Sequence, residues 1–246
     1  MEQKFTKKTI STGYSPNATL IFILGMHRSG TSCLAGCLER CGLFLGDVSR
    51  SAPYNLKGTH ELKKVSSLND RILAANRGTW FQPPAQISVR WWHRSSVKRI
   101  VKLLSRHGPA GIKDPRLLLA LDAWLDVAES HQMVGTFRHP VAVATSLAQR
   151  DGFAMQTGYD LWLRYNTELV RWHMMYGFPL IEYNLTDVKS YRKTITELAC
   201  VLGLVPDIAQ LSQFITSTLE HQRISGAPVP STCQKVYAYL RENRLC

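Results

Sequence analysis

The sequence predicts a single α/β domain, a three-layer sandwich in which helices cover both faces of a central parallel sheet. Short apolar segments of strand length alternate with longer stretches of helical periodicity, which is typical of β-α-β units. The chain has 246 residues, of which 45% are hydrophobic, so it can form one sizeable core. We therefore expect one domain over residues 1–246, with residues 1–18 as a flexible N-terminal segment.

Four apolar runs have the length and composition of buried strands, and a fifth is weaker. The strong candidates are residues 20–24, 110–113, 132–137 and 179–184, and the weak one is 43–45. The expected sheet therefore has about five strands. Because ligands of such sheets bind beyond the carboxyl ends of the strands, we expect the functional site in the loops that follow these runs.

Helical periodicity and helix-terminus signals mark the stretches between the strands. Pro140 suits a first helical position, and Asp187 suits a capping position. The predicted helices lie over residues 33–41, 62–78, 94–106, 117–129, from 140 onward, 159–176 and 187–203.

The net charge of +12 indicates an anionic ligand or partner. Part of this charge lies on one predicted amphipathic helix, where Arg94, Lys98, Lys102 and Arg106 recur four residues apart. Such a stripe is typical of a solvated helix face. Contact with an acidic acceptor or a membrane surface, or with nucleic acid, is the alternative. No nucleic-acid recognition signature accompanies the stripe, so we expect no specific nucleic-acid partner.

The longest purely apolar run, residues 20–24, is too short to span a bilayer. The charged start of the chain is separated from it by polar residues, unlike the arrangement of a secretory signal. We therefore expect no transmembrane segment and a cytoplasmic location.

The loop after the first strand, residues 25–32, has the glycines of a phosphate-binding turn. A nucleotide-kinase loop would carry a lysine where Thr31 stands. Glycines before a helix still allow backbone N–H groups to converge on an anion. Arg28 adds a planar cation inside the loop, which can bind two oxygens at once. The loop therefore predicts an anion site.

Charged residues also follow the second and third strands. Lys113, Asp114 and Arg116 favour equally a functional cluster and an ion pair that caps the next helix through Asp114. Arg138 ends the third strand, and Ser146 lies about 9 Å further along the next helix. Together they can hold a phosphate, but a rim arginine and an ordinary helix serine would explain this loop taken alone.

The three loops together resemble those of sulfotransferases that use 3'-phosphoadenosine 5'-phosphosulfate (PAPS), in particular the bacterial members. Arg-Ser-Gly-Thr-Ser at 28–32 resembles their 5'-phosphosulfate loop, and Arg138 and Ser146 keep the spacing of their 3'-phosphate loop. "KDPR" at 113–116, "KGTHE" at 57–61, "LND" at 68–70 and "PLIEYNLTDV…LACVLGL" add to the likeness, which extends from Leu20 to about Leu240.

The resemblance implies a P-loop NTPase-like fold and transfer of a sulfuryl group from PAPS to a hydroxyl or amine. A sulfuryl group carries less charge than a phosphoryl group, so fixed cations can suffice and no metal is expected. The residues that the resemblance assigns to the donor are His27, Arg28, Ser29, Gly30, Thr31, Ser32, Arg138 and Ser146. Arg223, in the C-terminal segment "HQRISG", is a further candidate for a donor contact.

The catalytic assignments also follow from the resemblance. Arg28 and Lys113 match cations that stabilise the leaving phosphate oxygen. Family branches use a glutamate or a histidine as the general base, and here His60 and Glu61 are adjacent. Glu61 matches the Gly-x-x-Glu pattern that begins at Gly58, and nearby cations favour a carboxylate that is ready to accept a proton. A Glu–Lys face at a helix start is the structural alternative.

The acceptor is not identified by these motifs, and a small molecule, a glycan or a lipid all fit. Trp80, Phe81, Trp91 and Trp92 predict either an aromatic acceptor wall or ordinary packing. Two other functions compete with sulfuryl transfer. One is a small-molecule or nucleotide kinase with Asp114 as a magnesium ligand, which the missing loop lysine disfavours; the other is a basic anion- or nucleic-acid-binding module without catalysis.

Overall fold

The computed structural model describes residues 20–51, 57–216 and 228–245. The N-terminal segment expected over residues 1–18 and the candidate donor-binding residue Arg223 lie outside this part of the chain. Within it, no helix is both long and apolar enough to cross a membrane.

Four parallel strands form one sheet in the order β2-β1-β3-β4. They are β1 (Leu20–Leu24), β2 (Ala110–Lys113), β3 (His131–Phe137) and β4 (Leu180–Glu182). Every residue of β1 is buried, as expected of a central strand in a parallel sheet covered on both faces. The prediction of an α/β fold with a parallel sheet is confirmed.

The expectation of about five strands is not confirmed among the described residues. Phe44, in the weak candidate 43–45, forms a single parallel bridge with Ala110. Gly42 and Gly46 flank it in the left-handed conformation, with φ of 93° and 78°, and so interrupt the extended backbone after a few residues. A P-loop NTPase-like fold stays a prediction.

Helices cover both faces of the sheet. In the described ranges they are α1 (Thr31–Arg40), α2 (Lys63–Ala75), α3 (Trp91–Leu104), α4 (Leu117–Leu125), α5 (Pro140–Asp151), α6 (Met155–Tyr176), α7 (Val188–Val201), α8 (Ile208–Phe214) and α9 (Ser231–Glu242). Pro140 begins α5, and the Asp187 side chain accepts a hydrogen bond from the Ser190 N–H at the start of α7, so both predicted starts are confirmed. The helices α8 and α9 have no counterpart among the predicted ones.

Two hydrophobic clusters lie on opposite faces of the sheet. Leu20, Phe22 and Leu24 of β1 pack with α2 to α6 and α9, whereas Ile21 and Ile23 pack with α1, α7 and α8. Successive side chains of β1 therefore point to opposite faces of the sheet and contribute to the two clusters in turn. The structure is a three-layer sandwich.

The strand order places the functional loops. The chain passes from β1 to β2 on one side of β1 and then crosses to β3 on the other side. Where the direction of the connections reverses between two adjacent strands, their loops diverge and leave a crevice at the carboxyl edge. The loops that begin at Gly25 and Arg138 follow these two strands, so the topology brings them together.

Candidate active site

The turn between β1 and α1 is held closely against the neighbouring strands. A Cβ on Gly25 would lie 2.4 Å from the Thr136 carbonyl oxygen in β3, so the turn can approach β3 only with glycine there. Gly30 has φ of 85°, and a Cβ on it would lie 2.3 Å from the ring of Tyr183. The Thr136 hydroxyl donates to the Ser29 carbonyl oxygen at 3.1 Å. The turn thus places the start of α1 beside β3. The first N–H groups of this helix have no acceptor within the helix.

This turn buries polar atoms that have no hydrogen-bond partner in the described structure. They are the Ser29 hydroxyl oxygen and the His27 Nε2 atom, and the Ser29 side chain is fully buried. Buried polar groups are normally hydrogen-bonded. An oxygen of an anionic ligand at the turn would accept from the Ser29 hydroxyl, so the residues present fit a phosphate group.

Arg28 connects the turn to α5, the helix that follows β3. Its Nε donates to the Ser146 hydroxyl in α5 at 2.7 Å. Burial, and then the nearby cations Arg150 and Arg138, lower the pKa of Arg28. Three guanidinium groups therefore gather at the switch point and repel one another, and an anion among them would relieve this repulsion. Ser146, which was expected to act together with Arg138, accepts a hydrogen bond from Arg28 in the structure.

Arg138 is buried at the end of β3, and its backbone oxygen accepts from the Trp162 indole N–H at 2.9 Å. Its guanidinium carbon lies 5.3 Å from the ring centroid of Tyr183. Tyr183 follows β4 directly and also covers Gly30, so it touches both phosphate-loop candidates. Tyr183 is not among the site residues predicted from the motifs. Its signal was its position at the carboxyl edge, one residue after a strand.

Arg150 is a second site residue that is not among those predicted from the motifs. It lies four residues after Ser146, on the same face of α5, and this spacing was the available signal. Its guanidinium carbon lies 5.4 Å from the Trp80 ring centroid, and it pairs with Asp151 at 2.7 Å.

Aromatic rings line the same crevice. Trp80 packs against His27 with ring centroids 4.5 Å apart and ring planes tilted by 41°, and its ring centroid lies 5.5 Å from that of Phe81. Burial lowers the pKa of His27 well below its usual value, and neighbouring cations, Arg116 first, lower it further. His27 is therefore a neutral ring at the site. Trp91 begins α3 and lies apart from this group in solvent.

Lys113, which is buried, and Glu61, which is half-buried, form an ion pair beside the start of α1. The Lys113 Nζ donates to the Glu61 Oε1 at 2.7 Å, to the Thr59 carbonyl oxygen at 2.8 Å and to the Ser32 hydroxyl at 3.1 Å. The Ser32 hydroxyl also donates to the Thr59 carbonyl oxygen, at 3.0 Å. Strand β2, helix α1 and the segment before α2 thus place a carboxylate, an ammonium and a hydroxyl within hydrogen-bond reach of one another.

His60 lies elsewhere, although it is adjacent to Glu61 in the chain. Its Nδ1 is 3.3 Å from the Glu39 Oε2, and its Nε2 would lie 2.9 Å from a Cβ on Gly36. His60 has φ of 52°, a left-handed conformation that is uncommon for a residue other than glycine. Of the two candidate bases, the structure brings only Glu61 to Lys113.

Arg116 holds Glu61 from its other side. Its Nη1 lies 3.8 Å from the Glu61 Oε2 and 2.8 Å from the Asp114 Oδ2, and its Nε lies 2.7 Å from the Asp70 Oδ1. The Asp114 Oδ1 accepts from the Arg116 backbone N–H at 2.7 Å. The "KDPR" segment therefore supplies both a local ion pair and a positioning contact for the candidate base.

Asp114 is expected to make stability depend on pH. Burial raises its pKa to about 6 from 3.8, with Arg116 opposing this and Glu61 adding to it. The unfolded chain loses this proton first, so the free energy of unfolding should fall as pH rises from about 4 to about 6, by roughly 3 kcal/mol. Chemical unfolding of the wild type and of Asp114→Asn at several pH values isolates this contribution. The variant should gain stability relative to the wild type as pH rises, and a difference that does not change with pH would contradict the assignment.

The structure thus brings most of the sequence-predicted residues to one edge of the sheet. His27 to Ser32 form the turn and the start of α1, and Lys113 and Glu61 lie beside them. Arg138 comes from the end of β3, and Ser146 comes from the following helix α5. His60 is not part of this group, and Arg223 is outside the described residues.

Two solved structures are similar over nearly the whole chain. One is the sulfotransferase domain of the olefin synthase from Synechococcus PCC 7002, with a TM-score of 0.56 and 16% sequence identity over 90% of this chain and 94% of that domain. The other is the sulfotransferase domain from the curacin biosynthetic pathway, with a TM-score of 0.57 and 16% identity over 90% of this chain and 96% of that domain. No family model and no curated protein sequence matches the chain. The chain has the fold of sulfotransferase domains.

Proposed function

We propose that this protein transfers a sulfuryl group from PAPS to a hydroxyl or amine of an acceptor. The observation that carries the proposal is the meeting of two cationic loops at the β1/β3 switch point, joined by the Arg28–Ser146 hydrogen bond, next to the Glu61–Lys113 pair. The likeness in fold to sulfotransferase domains supports it.

The donor would lie across the two loops. The turn at Ser29 and the first N–H groups of α1 suit the 5'-phosphosulfate, since the helix dipole and an unsatisfied buried hydroxyl both favour an anion there. Arg138, a cation at the end of β3, suits the 3'-phosphate, and Arg28 lies between the two. This arrangement gives a nucleotide with phosphates at both ends an advantage over one with a single phosphate group.

The chain's own residues divide the chemistry between them. PAPS supplies a sulfuryl group whose bond to the 5'-phosphate oxygen breaks as a bond to the acceptor oxygen or nitrogen forms. Glu61 takes the acceptor proton as a general base, and Arg116 and Lys113 hold its carboxylate in place. Lys113 and Arg28 stabilise the negative charge that develops on the departing phosphate oxygen. Each step in this scheme is assigned to a side chain of the protein.

The acceptor would enter past Trp80 and Phe81. Trp80 lies on His27 at the turn, so an acceptor that packs on this indole would be close to the sulfuryl group. A small molecule, a glycan or a lipid with a planar or apolar portion suits such a wall.

Thermal unfolding with nucleotides tests the proposal. Adenosine 3',5'-bisphosphate at about 100 times its Kd should stabilise the fold by about 2.7 kcal/mol and raise Tm by several degrees. Magnesium-ATP at the same concentration should raise Tm much less, because it lacks the 3'-phosphate. Equal shifts from the two nucleotides would favour the kinase alternative and contradict sulfuryl transfer from PAPS.

A further inference from the structure

Helix α3 carries an exposed surface that the proposed function does not use. We define the α3 surface as the solvent-facing side of this helix together with Arg106, which lies two residues beyond its end. Its members are Trp91, Trp92, Lys98, Arg99, Lys102, Leu103 and Arg106.

The N-terminal end of the α3 surface is aromatic. Trp91 is 72% exposed and Trp92 is 44% exposed, and their rings meet edge to face with centroids 5.5 Å apart. Two adjacent tryptophans in water leave a large apolar area uncovered, and such areas mark interaction sites. Indole combines an apolar ring with a polar N–H, which suits it to the boundary between lipid and water.

The rest of the α3 surface is cationic. Lys98 and Lys102 lie seven and eleven residues after Trp91. These spacings place all three residues on the same side of the helix. Within the described structure, no carboxylate lies within ion-pair distance of Lys98, Arg99, Lys102 or Arg106, whereas Arg94 pairs with Asp126 at 2.7 Å. The α3 sequence itself contains no acidic residue.

The opposite side of α3 is anchored in the core. Val97, Ile100 and Leu104 are buried and pack in the cluster that includes α2 and α4. The helix is therefore a fixed part of the domain, and its exposed side is a convex ridge about 20 Å long, at 1.5 Å per residue. A ridge with tryptophans at one end and cations along its length matches a flat, negatively charged surface better than it matches a groove.

We propose that the α3 surface binds an anionic lipid bilayer. Trp91 and Trp92 insert at the level of the lipid headgroups, and Lys98, Arg99 and Lys102 lie against the lipid phosphates and carboxylates. The mode is interfacial, with the helix lying along the membrane plane. This inference goes beyond the proposed function and does not depend on it.

Sedimentation with vesicles tests the inference. The full chain should sediment with vesicles of phosphatidylcholine and phosphatidylserine at 7:3 in about 0.1 M salt, and at least tenfold less with phosphatidylcholine alone. Its tryptophan emission should shift to shorter wavelength on binding. Trp124, Trp162 and Trp172 are already buried and Trp80 is half-buried in the candidate site, so the double replacement of Trp91 and Trp92 is needed to assign the shift to these two rings.

Matched charge reversals separate a specific surface from general attraction to a basic protein. Lys98→Glu combined with Lys102→Glu should weaken vesicle binding at least tenfold. Lys189→Glu combined with Lys193→Glu makes the same charge change at exposed positions of α7, on the opposite face of the sheet, and should weaken it less than threefold. Trp91→Ser combined with Trp92→Ser should abolish the emission shift.

Several results would overturn the inference. Equal losses in the two charge variants would mean non-specific adsorption, and an unchanged emission shift in the tryptophan variant would mean that these rings do not insert. Absence of binding to the phosphatidylserine vesicles would leave an acidic protein as the partner of this surface. The Tm shift with adenosine 3',5'-bisphosphate should persist in the Lys98→Glu, Lys102→Glu variant, so failure of this inference is distinguishable from failure of the proposed function.

Discussion

Replacing Glu61 by glutamine is expected to lower kcat by about 10²- to 10⁴-fold, the range that general-base catalysis contributes. Glutamine keeps the shape of the side chain and can still accept from the Lys113 ammonium, which donates to Glu61 at 2.7 Å in the wild type. It cannot take the acceptor proton. The loss should therefore appear in kcat, with little change in the affinity for adenosine 3',5'-bisphosphate. Turnover is measured as the release of adenosine 3',5'-bisphosphate from PAPS in the presence of an acceptor identified by screening.

His60→Asn is the matched control for this variant. His60 lies against Gly36 and Glu39, away from Lys113, and asparagine tolerates the left-handed backbone of this position. It should keep turnover within a few-fold of the wild type once thermal unfolding shows that it is folded. Near-normal turnover in Glu61→Gln together with a large loss in His60→Asn would reverse the assignment of the base.

Replacing Lys113 by methionine is expected to lower kcat by about 10²- to 10³-fold, as loss of one preorganised charge-stabilising donor does. Methionine has a similar length but removes the charge and the three hydrogen bonds to Glu61, Thr59 and Ser32. The negative charge on the departing oxygen develops only in the transition state, so the affinity for adenosine 3',5'-bisphosphate should fall less than kcat does.

Lys64→Met is the control for the loss of a lysine charge. Lys64 is exposed on α2, and its variant should keep both kcat and nucleotide affinity. Calorimetric titration gives the nucleotide Kd, and the release assay gives kcat. If the Lys113 variant lost affinity and kcat by the same factor, Lys113 would contribute only to binding, and its proposed role at the departing oxygen would be wrong.

The sheet could be predicted well from local patterns. The strands β1 and β2 have the predicted bounds because each run stops at a turn signal. Gly25 follows β1 directly, and Asp114 and Pro115 follow β2. Helix ends were less certain: α4 stops at Leu125, four residues before the predicted end. The weak strand at 43–45 reduces to one bridge at Phe44, since a single run of apolar residues does not reveal the left-handed glycines that interrupt it.

The loops of the candidate site could be predicted because each one follows a strand, and the strand order brings them to one edge. The Gly-x-x-Glu pattern favours Glu61 over His60, but the left-handed backbone at His60, which turns the two neighbours to different surroundings, could not be predicted from it. Tyr183 and Arg150 depend on contacts across the sheet edge that no spacing within one loop encodes. The loops of the site are therefore encoded in local sequence patterns, whereas the contacts between them are not.

The proposed function requires two anion sites that hold opposite ends of one adenosine nucleotide. Titration of the wild type and Arg138→Ala with adenosine 3',5'-bisphosphate and with adenosine 5'-monophosphate tests this directly. We predict that the variant binds the bisphosphate roughly 10- to 150-fold more weakly, from the loss of a charge-assisted contact of about 1.5–3 kcal/mol, and binds the monophosphate within about twofold of the wild type. Equal weakening for both nucleotides would contradict a separate 3'-phosphate site and, with it, the proposed donor.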